Sequence, residues 1–400
     1  MRQWLRRVRL RVPGEFVIAG LEVSSGARTF REPDSRKGAD AVPPIRVLIV
    51  DDSAVIRHLL SDVLASDPEI TVAGTAPNGR LALARIPEMK PDLVTLDVEM
   101  PGMDGLETLV EIRKLYPRLP VIMFSTLTGP GASATVEALA RGASDYASKP
   151  SHTGSPTAAR ERVRQELLPK IKALCERTWQ RPKSCAVPLQ SPAVTPSVSS
   201  RVDLVAIGTS TGGPNALAEL IPKLPADFPV PIVIVQHMPA MFTRLLAERL
   251  NGLTALEVRE GEDGRKLEKG QVWVAPGDFH MTVVRKGNDR ILSLNQGPPE
   301  NSCRPAVDVL FRSVAQSCGA NVVAAVLTGM GSDGTKGAVE IRGAGGTVIA
   351  QDEASSVVWG MPGSLVAAGL ANRVCALHDI PFEILRRTTL GRSLAKAARS

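Results

Sequence analysis

The chain has 400 residues, of which 44% are hydrophobic, 22% charged and only 4% aromatic, a globular composition too long for one ordinary core, so two domains are expected. Residues 1–44 hold nine Lys/Arg against five Asp/Glu, so four of the seven excess positive charges lie there and the rest of the chain is nearly balanced. Nucleic-acid binding through a basic face or stacked aromatics is therefore disfavoured, and the lack of any 18-residue apolar run argues against membrane insertion.

The opening stretch "MRQWLRRVRLRVPGEFVIAG" superficially resembles an export signal, but its apolar part is short and broken by Glu15. Residues 1–44 read instead as a basic, disordered extension, with initiation at Val42 from a GTG codon as a sharper alternative. Five cysteines form no CxxC pair. They are expected to be reduced thiols of a cytoplasmic protein, with no disulfide framework or zinc site.

From Ile45 to about residue 178, apolar strands alternate with helical stretches: "IRVLIV", "SAVIRHLLSDVLAS", "PDLVTLD", "GLETLVEIRKLY", "PVIMFST", "ATVEALARGA", "DYASKP". Continuously apolar strands between helices imply a parallel sheet covered on both faces, with chemistry at the carboxyl ends of the strands. Asp51 and Asp52 follow one such strand and Asp97 another, close enough across neighbouring strands to converge. Clustered carboxylates of this kind suit a hard cation such as Mg²⁺. A hydroxyl, Ser125 or Thr126, ends "VIMF", and Lys149 could add a further strand-end charge. The plainer reading makes Asp52 or Ser53 a helix cap and the other acids solvated loop residues. Together, "VLIVDDS", "LDVEMPGMDGLE", "MFST" and "DYASKP" resemble a response-regulator receiver domain. The resemblance implies a flavodoxin-like fold in which Asp97 accepts phosphate from a histidine kinase. Mg²⁺ would sit on Asp51, Asp52, Asp97 and the Glu99 backbone carbonyl. Ser125 would be the switch hydroxyl, Tyr146 the aromatic switch and Lys149 the phosphate partner.

A charged amphipathic helix around Ala158–Glu176 closes this unit, and residues 179–200, "QRPKSCAVPLQSPAVTPSVSS" with its neighbours, have the proline and serine content of a linker. Residues 201–390 again alternate strands and helices, with added antiparallel strands expected in "VWVAPGDFHMTVVRKGNDRILSLN"; residues 391–400 read as a tail.

The stretch "VDLVAIGTSTGGPNAL" fits a nucleophile elbow, G-x-S-x-G, with Ser210 at its apex. It fits a phosphate loop or a plain corner equally well. The next strand, "VPIVIVQH", ends in His237 where a dinucleotide site usually has an acid. His237 is the candidate base and His280, which begins a strand, the reserve. Asp333, in the glycine-rich loop of "VVAAVLTGMGSDG", could orient the imidazole, with Asp308 as a rival in a helical context. Backbone N–H groups of residues 328–331, Met330 above all, could stabilise an oxyanion. The order Ser–His–Asp differs from that of α/β-hydrolases, which disfavours a lipase or esterase of that class.

"IGTSTGGPNAL", "IVQHM", "VWVAPGDFHM", "RPAVDVLF", "LTGMGSDG" and "GMPGSLVAAG" resemble the chemotaxis protein-glutamate methylesterase family, CheB, in which a receiver precedes the catalytic domain. Thr209, where a smaller residue is common, and Trp359, where another aromatic is usual, depart from the pattern. The resemblance implies a Rossmann-like α/β methylesterase domain with Ser210 as nucleophile, His237 as base, Asp333 as orienter and the Met330 N–H as oxyanion donor. It implies demethylation of glutamyl esters, and deamidation of particular glutamines, on methyl-accepting chemotaxis receptors, with no cofactor for the esterase. It further implies that the unphosphorylated receiver covers the esterase cleft. The competing readings are a phosphorylation-controlled nucleotide-binding protein and a non-catalytic, receiver-driven adaptor.

Overall fold

The computed structural model describes residues 43–126, 129–150, 155–179 and 201–397. The basic extension, the Val42 start and nearly all of the Pro/Ser-rich linker lie outside the described residues. The first sheet is built from β1 (Ile45–Val50), β2 (Ile70–Ala76), β3 (Leu93–Asp97), β4 (Val121–Ser125) and β5 (Asp145–Ser148), all parallel in the order β2-β1-β3-β4-β5. Helices α1 (Ala54–Ala65), α2 (Gly79–Met89), α3 (Gly105–Leu115), α4 (Gly129–Ala140) and α5 (Pro156–Trp179) cover its two faces. The strand order reverses between β1 and β3, which carry Asp51 and Asp97 at their carboxyl ends. Periodicity alone did not single out β2 and α2. Five of the seven β2 positions are only partly buried, and α2 carries Pro87 inside it.

The second sheet has seven strands in the order β14-β13-β12-β6-β7-β9-β8, every pair parallel. They are β6 (Leu204–Thr209), β7 (Ile232–Gln236), β8 (Glu257–Glu260), β9 (Gln271–Val274), β12 (Val322–Val326), β13 (Thr347–Gln351) and β14 (Arg373–Cys375). The expected antiparallel strands are β10 (His280–Lys286) and β11 (Asp289–Asn295). They form a sheet of their own, whereas "QVWV" (β9) joins the parallel sheet beside β7. Helices α6 (Gly213–Leu220), α7 (Ala240–Leu253), α8 (Val307–Cys318), α9 (Thr335–Gly343), α10 (Met361–Ala367) and α11 (Ile380–Ala397) pack around it. α11 continues past residue 390, where the sequence pattern suggested a tail. Among the described residues no helix is long and apolar enough to cross a membrane.

The strands β6, β7, β12 and β13 are buried almost throughout, which is why their text is continuously apolar. Helix α8 seals one face of this sheet with Val307, Leu310, Phe311 and Val314, all fully buried. Gly337 of α9 lets the two helices close: a Cβ there would lie 2.4 Å from the Phe311 Cβ. Phe311→Ala should therefore lower the unfolding free energy by about 3–5 kcal/mol, to be measured by denaturant unfolding of the full chain.

Candidate phosphoacceptor and hydrolytic sites

At the carboxyl end of the first sheet, Asp51, Asp52 and Asp97 each place a carboxylate oxygen within 4.8 Å of the others. Ser53, not Asp52, caps α1, accepting from the Ile56 N–H, and the Ser53 N–H in turn bonds Asp51 Oδ1 at 2.9 Å. The acids are thus released from capping duty. Lys149 Nζ reaches Asp51 Oδ2 at 2.9 Å and Asp97 Oδ2 at 2.8 Å. These two buried oxygens have no hydrogen-bond partner beyond that ammonium among the described residues. Burial pushes Asp97 up to about 6; Asp51 adds to the rise, and Lys149 and the Glu99 N–H oppose it. Burial raises Asp51 as well, against Lys149. Burial alone would lower Lys149, but its bonds to the two carboxylates hold it above its ordinary value. A convergent set of hard oxygens with two underused lone-pair sites fits a divalent cation.

Ser125 ends β4 beside this cluster, its hydroxyl donating to the Gly131 carbonyl at 3.1 Å. Tyr146 points the other way. It is buried and stacks on Phe242 of α7, with ring centroids 4.7 Å apart and planes 14° from parallel, and Lys170 Nζ lies over its ring. The first sheet is thereby joined to the second domain. Thr211 Oγ1 donates to Asp145 Oδ2 at 2.8 Å, and Val358 is buried in the receiver's core with Met330 and Val357 packed against it.

At the carboxyl end of the second sheet, register places Ser210 beside His237. Thr209 pairs with Gln236 at the ends of β6 and β7, and Ser210 and His237 are the next residues of each chain segment. The Ser210 N–H donates to the Thr328 carbonyl at 3.1 Å, and Gln236 Nε2 donates to the carbonyls of Ser210 (2.9 Å) and His237 (3.3 Å). Gly212 turns the elbow at φ 78°, a backbone state that glycine adopts freely. Gly329 must lack a side chain because a Cβ would lie 2.8 Å from the Ser210 Cβ.

His237 Nε2 lies 2.8 Å from Asp333 Oδ2, so in the neutral ring Nδ1 carries the lone pair. Burial would lower the imidazole pKa, but Asp333 and the neighbouring Cys303 thiol outweigh it and raise it to about 9. Burial would raise Asp333, but His237 and the backbone N–H groups of Asp308 and Val307 hold it down to about 2. The rival acid, Asp308, does not reach the imidazole; its carboxylate accepts from the Gly337 N–H and the Asn301 amide. The reserve base, His280, has both ring nitrogens occupied by backbone, the Pro298 carbonyl at 3.0 Å and the Ala306 N–H at 3.2 Å.

Among the described residues, the Met330 and Thr211 N–H groups donate to no acceptor. Thr211 did not stand out in the sequence as a donor, although in nucleophile-elbow hydrolases the residue after the nucleophile supplies one. Thr209 Oγ1 donates to the Thr328 carbonyl at 2.9 Å, and Trp359 Nε1 to the Gln351 carbonyl at 3.0 Å.

Residues 205–384 match the family model described as CheB methylesterase, and residues 47–159 that of the response regulator receiver domain. The chain is 50% identical over 350 residues to the protein-glutamate methylesterase/protein-glutamine glutaminase of Trichodesmium erythraeum, spanning 86% of this chain and 99% of that protein. The chain belongs to the CheB methylesterase family. A second relative of the same description, from Nocardioides sp., is 51% identical over 354 residues, spanning 86% of this chain and 96% of its own. The Thermotoga maritima CheB methylesterase catalytic domain is a solved structure at 44% identity that covers 46% of this chain and 98% of its own, with a TM-score of 0.46. In this CheB-family chain a receiver domain thus precedes a methylesterase domain.

With His237 as the base, only its neutral ring could take a serine proton, so ester cleavage should rise with pH through the neutral and mildly alkaline range as His237 loses its proton. Asp333→Asn removes the anion that raises the ring. The rising limb of the kcat profile should move to lower pH while its plateau falls by up to about 10⁴-fold, as measured by pH–rate profiles of the two proteins.

Proposed function

We propose that this chain hydrolyses glutamyl γ-methyl esters, and deamidates particular glutamines, on the cytoplasmic helices of chemoreceptors, through Ser210, His237 and Asp333 under control of phosphorylation at Asp97. The observation that carries this reading is the His237–Asp333 bond beside an elbow serine, an arrangement that serves acyl transfer and does nothing for a phosphate cradle. His237 takes the Ser210 hydroxyl proton as Oγ bonds to the ester carbonyl carbon. Asp333 stabilises the imidazolium that forms, and the Met330 N–H, joined by that of Thr211, receives the developing oxyanion. As the tetrahedral centre collapses, the C–OCH₃ bond breaks and the imidazolium returns the proton to methoxide, releasing methanol. Water, deprotonated by the same imidazole, then cleaves the acyl-serine to glutamate. A glutamine substrate takes the same path with ammonia leaving.

Asp97 would receive the phosphoryl group from a histidine kinase, with Lys149 on its oxygens. Asp51, Asp52, Asp97 and the Glu99 carbonyl would hold Mg²⁺, which offsets the charge of the incoming phosphoryl group. The Tyr146–Phe242 stack and the Thr211–Asp145 bond link this event to the nucleophile loop. A phosphoryl group adds about −1.5 to −2 charges beside Lys149 and competes for that ammonium. Repositioning of Ser125 and Tyr146 would then loosen the interface over the esterase site.

Methanol release from a methylated chemoreceptor should vanish in Ser210→Ala. In Asp97→Ala it should persist but no longer respond to phosphodonor and Mg²⁺. Release undiminished in Ser210→Ala would rule out the serine route. Tyr146→Ala removes an aromatic pair worth about 0.5–1.5 kcal/mol, so unphosphorylated activity should rise about two- to tenfold and the further gain on phosphorylation should shrink.

A further inference from the structure

Asn301 and Ser302 form a two-residue turn in the left-handed region, which asparagine tolerates and serine rarely adopts. Glu300 and Cys303 close the turn with reciprocal backbone bonds of 3.0 and 2.9 Å, and between them Asn301 (φ 52°) and Ser302 (φ 61°) both adopt the left-handed conformation. Glycine would satisfy the backbone of such a two-residue turn at either position. What glycine would lack is the Asn301 amide. Its Nδ2 donates to Asp333 Oδ1 at 2.8 Å and to Asp308 Oδ2 at 2.9 Å. Two carboxylate acceptors leave only one sensible orientation for the amide, NH₂ inward.

We infer that Asn301 is a positioning residue for hydrolysis: its amide locks the Asp333 carboxylate so that Oδ2 faces His237, and keeps the buried Asp308 carboxyl from displacing it. The inference rests on the serine-hydrolase reading above. Asp333 Oδ1 takes the Asn301 amide, the Asp308 N–H at 2.9 Å and the Gly334 N–H at 2.9 Å, whereas Oδ2 takes His237 and the Val307 N–H at 2.7 Å. Of these donors on Oδ1, only the amide comes from outside α8 and the Asp333 loop, and only it also touches the Asp308 carboxylate. Without it, two buried carboxyls would face each other across an unfilled gap, and the one that turned away would free the imidazole. Burial raises Asp308 while Asp333 stays low, so any proton taken up by the pair sits on the acid remote from His237. The other charged or titratable groups facing this cluster are Glu300, which accepts from Nη1 and Nη2 of Arg312, then Lys336, and Cys303 against the imidazole.

Asn301→Gly separates the turn from the amide, because glycine keeps the backbone and deletes the donor. With wild-type, Ser210→Ala and Asn301→Gly proteins as full chains, methanol release from a methylated chemoreceptor fragment is measured against pH, with phosphodonor and Mg²⁺ present. Asn301→Gly should lose kcat by about tenfold or more with KM within about twofold. The midpoint of its rising limb, and the His237 ring titration followed by NMR, should move to lower pH. Wild-type kcat in Asn301→Gly overturns the inference, and so does a fall in kcat with an unmoved midpoint, which would mark general loosening. Should Asn301→Gly fail to fold by thermal unfolding, Asn301→Asp, which also tolerates the left-handed turn, takes its place. It puts a third carboxyl against the pair and should be strongly impaired at neutral pH; wild-type activity there overturns the inference. Activity retained in Ser210→Ala would instead defeat the underlying nucleophile assignment.

Discussion

A carboxylate stays charged inside a protein only where fixed donors replace the water it has lost, and the hydrolytic site depends on how Asp333 meets that demand. Three backbone N–H groups, one amide and one imidazole converge on its two oxygens. The charge so held raises His237 and orients its ring, which leaves Nδ1 as the acceptor. Helix α8 supplies two of the N–H groups from its first turn, so the packing of Val307 and Phe311 against the sheet also aims the acid. Core and site are joined at this point: a shift of α8 would move both.

The same constraint appears at the receiver's Asp51–Asp97 cluster with the opposite outcome. Asp51 and Asp97 are as buried as Asp333, yet each has one backbone donor and both share a single ammonium. Burial therefore wins and both carboxyls are raised. An under-satisfied acidic pair suits a divalent cation, whose charge would supply the missing partner. Asp333 is held as a permanent charge, whereas Asp51 and Asp97 are left short of donors.

Between the two sites lies a continuous path of contacts. Asp145 and Tyr146, four and three positions before Lys149, touch Thr211 and Phe242, which follow Ser210 by one position and His237 by five. Met330 lies against the receiver's core, and the neighbouring Gly329 is packed on Ser210. The receiver therefore packs directly on the loop that carries Met330, and apolar burial favours that contact.

Much of this was legible in residues 45–126 and 201–375 because parallel strands buried on both faces must be continuously apolar, and the first residues beyond such a strand stand at the catalytic edge. That reasoning brought out Asp51, Asp97, Ser210, His237 and Asp333 as strand-end groups, and the structure brings His237 and Asp333 into contact. Weakly patterned β2 and α2 did not stand out, since half-exposed positions and an internal proline blur the period. The choice of Asp333 over Asp308 and of His237 over His280 was decided by tertiary structure, because it depends on which oxygen or nitrogen the backbone has already taken. Asn301 and Thr211 were invisible for the same reason: a left-handed asparagine gains meaning only when the chain brings its acceptor from 32 residues away, and an N–H only when the fold leaves it without one. The sequence by itself determined which side chains arrive at the strand ends; only the fold decided which of them are left with a free lone pair or a free proton to do chemistry.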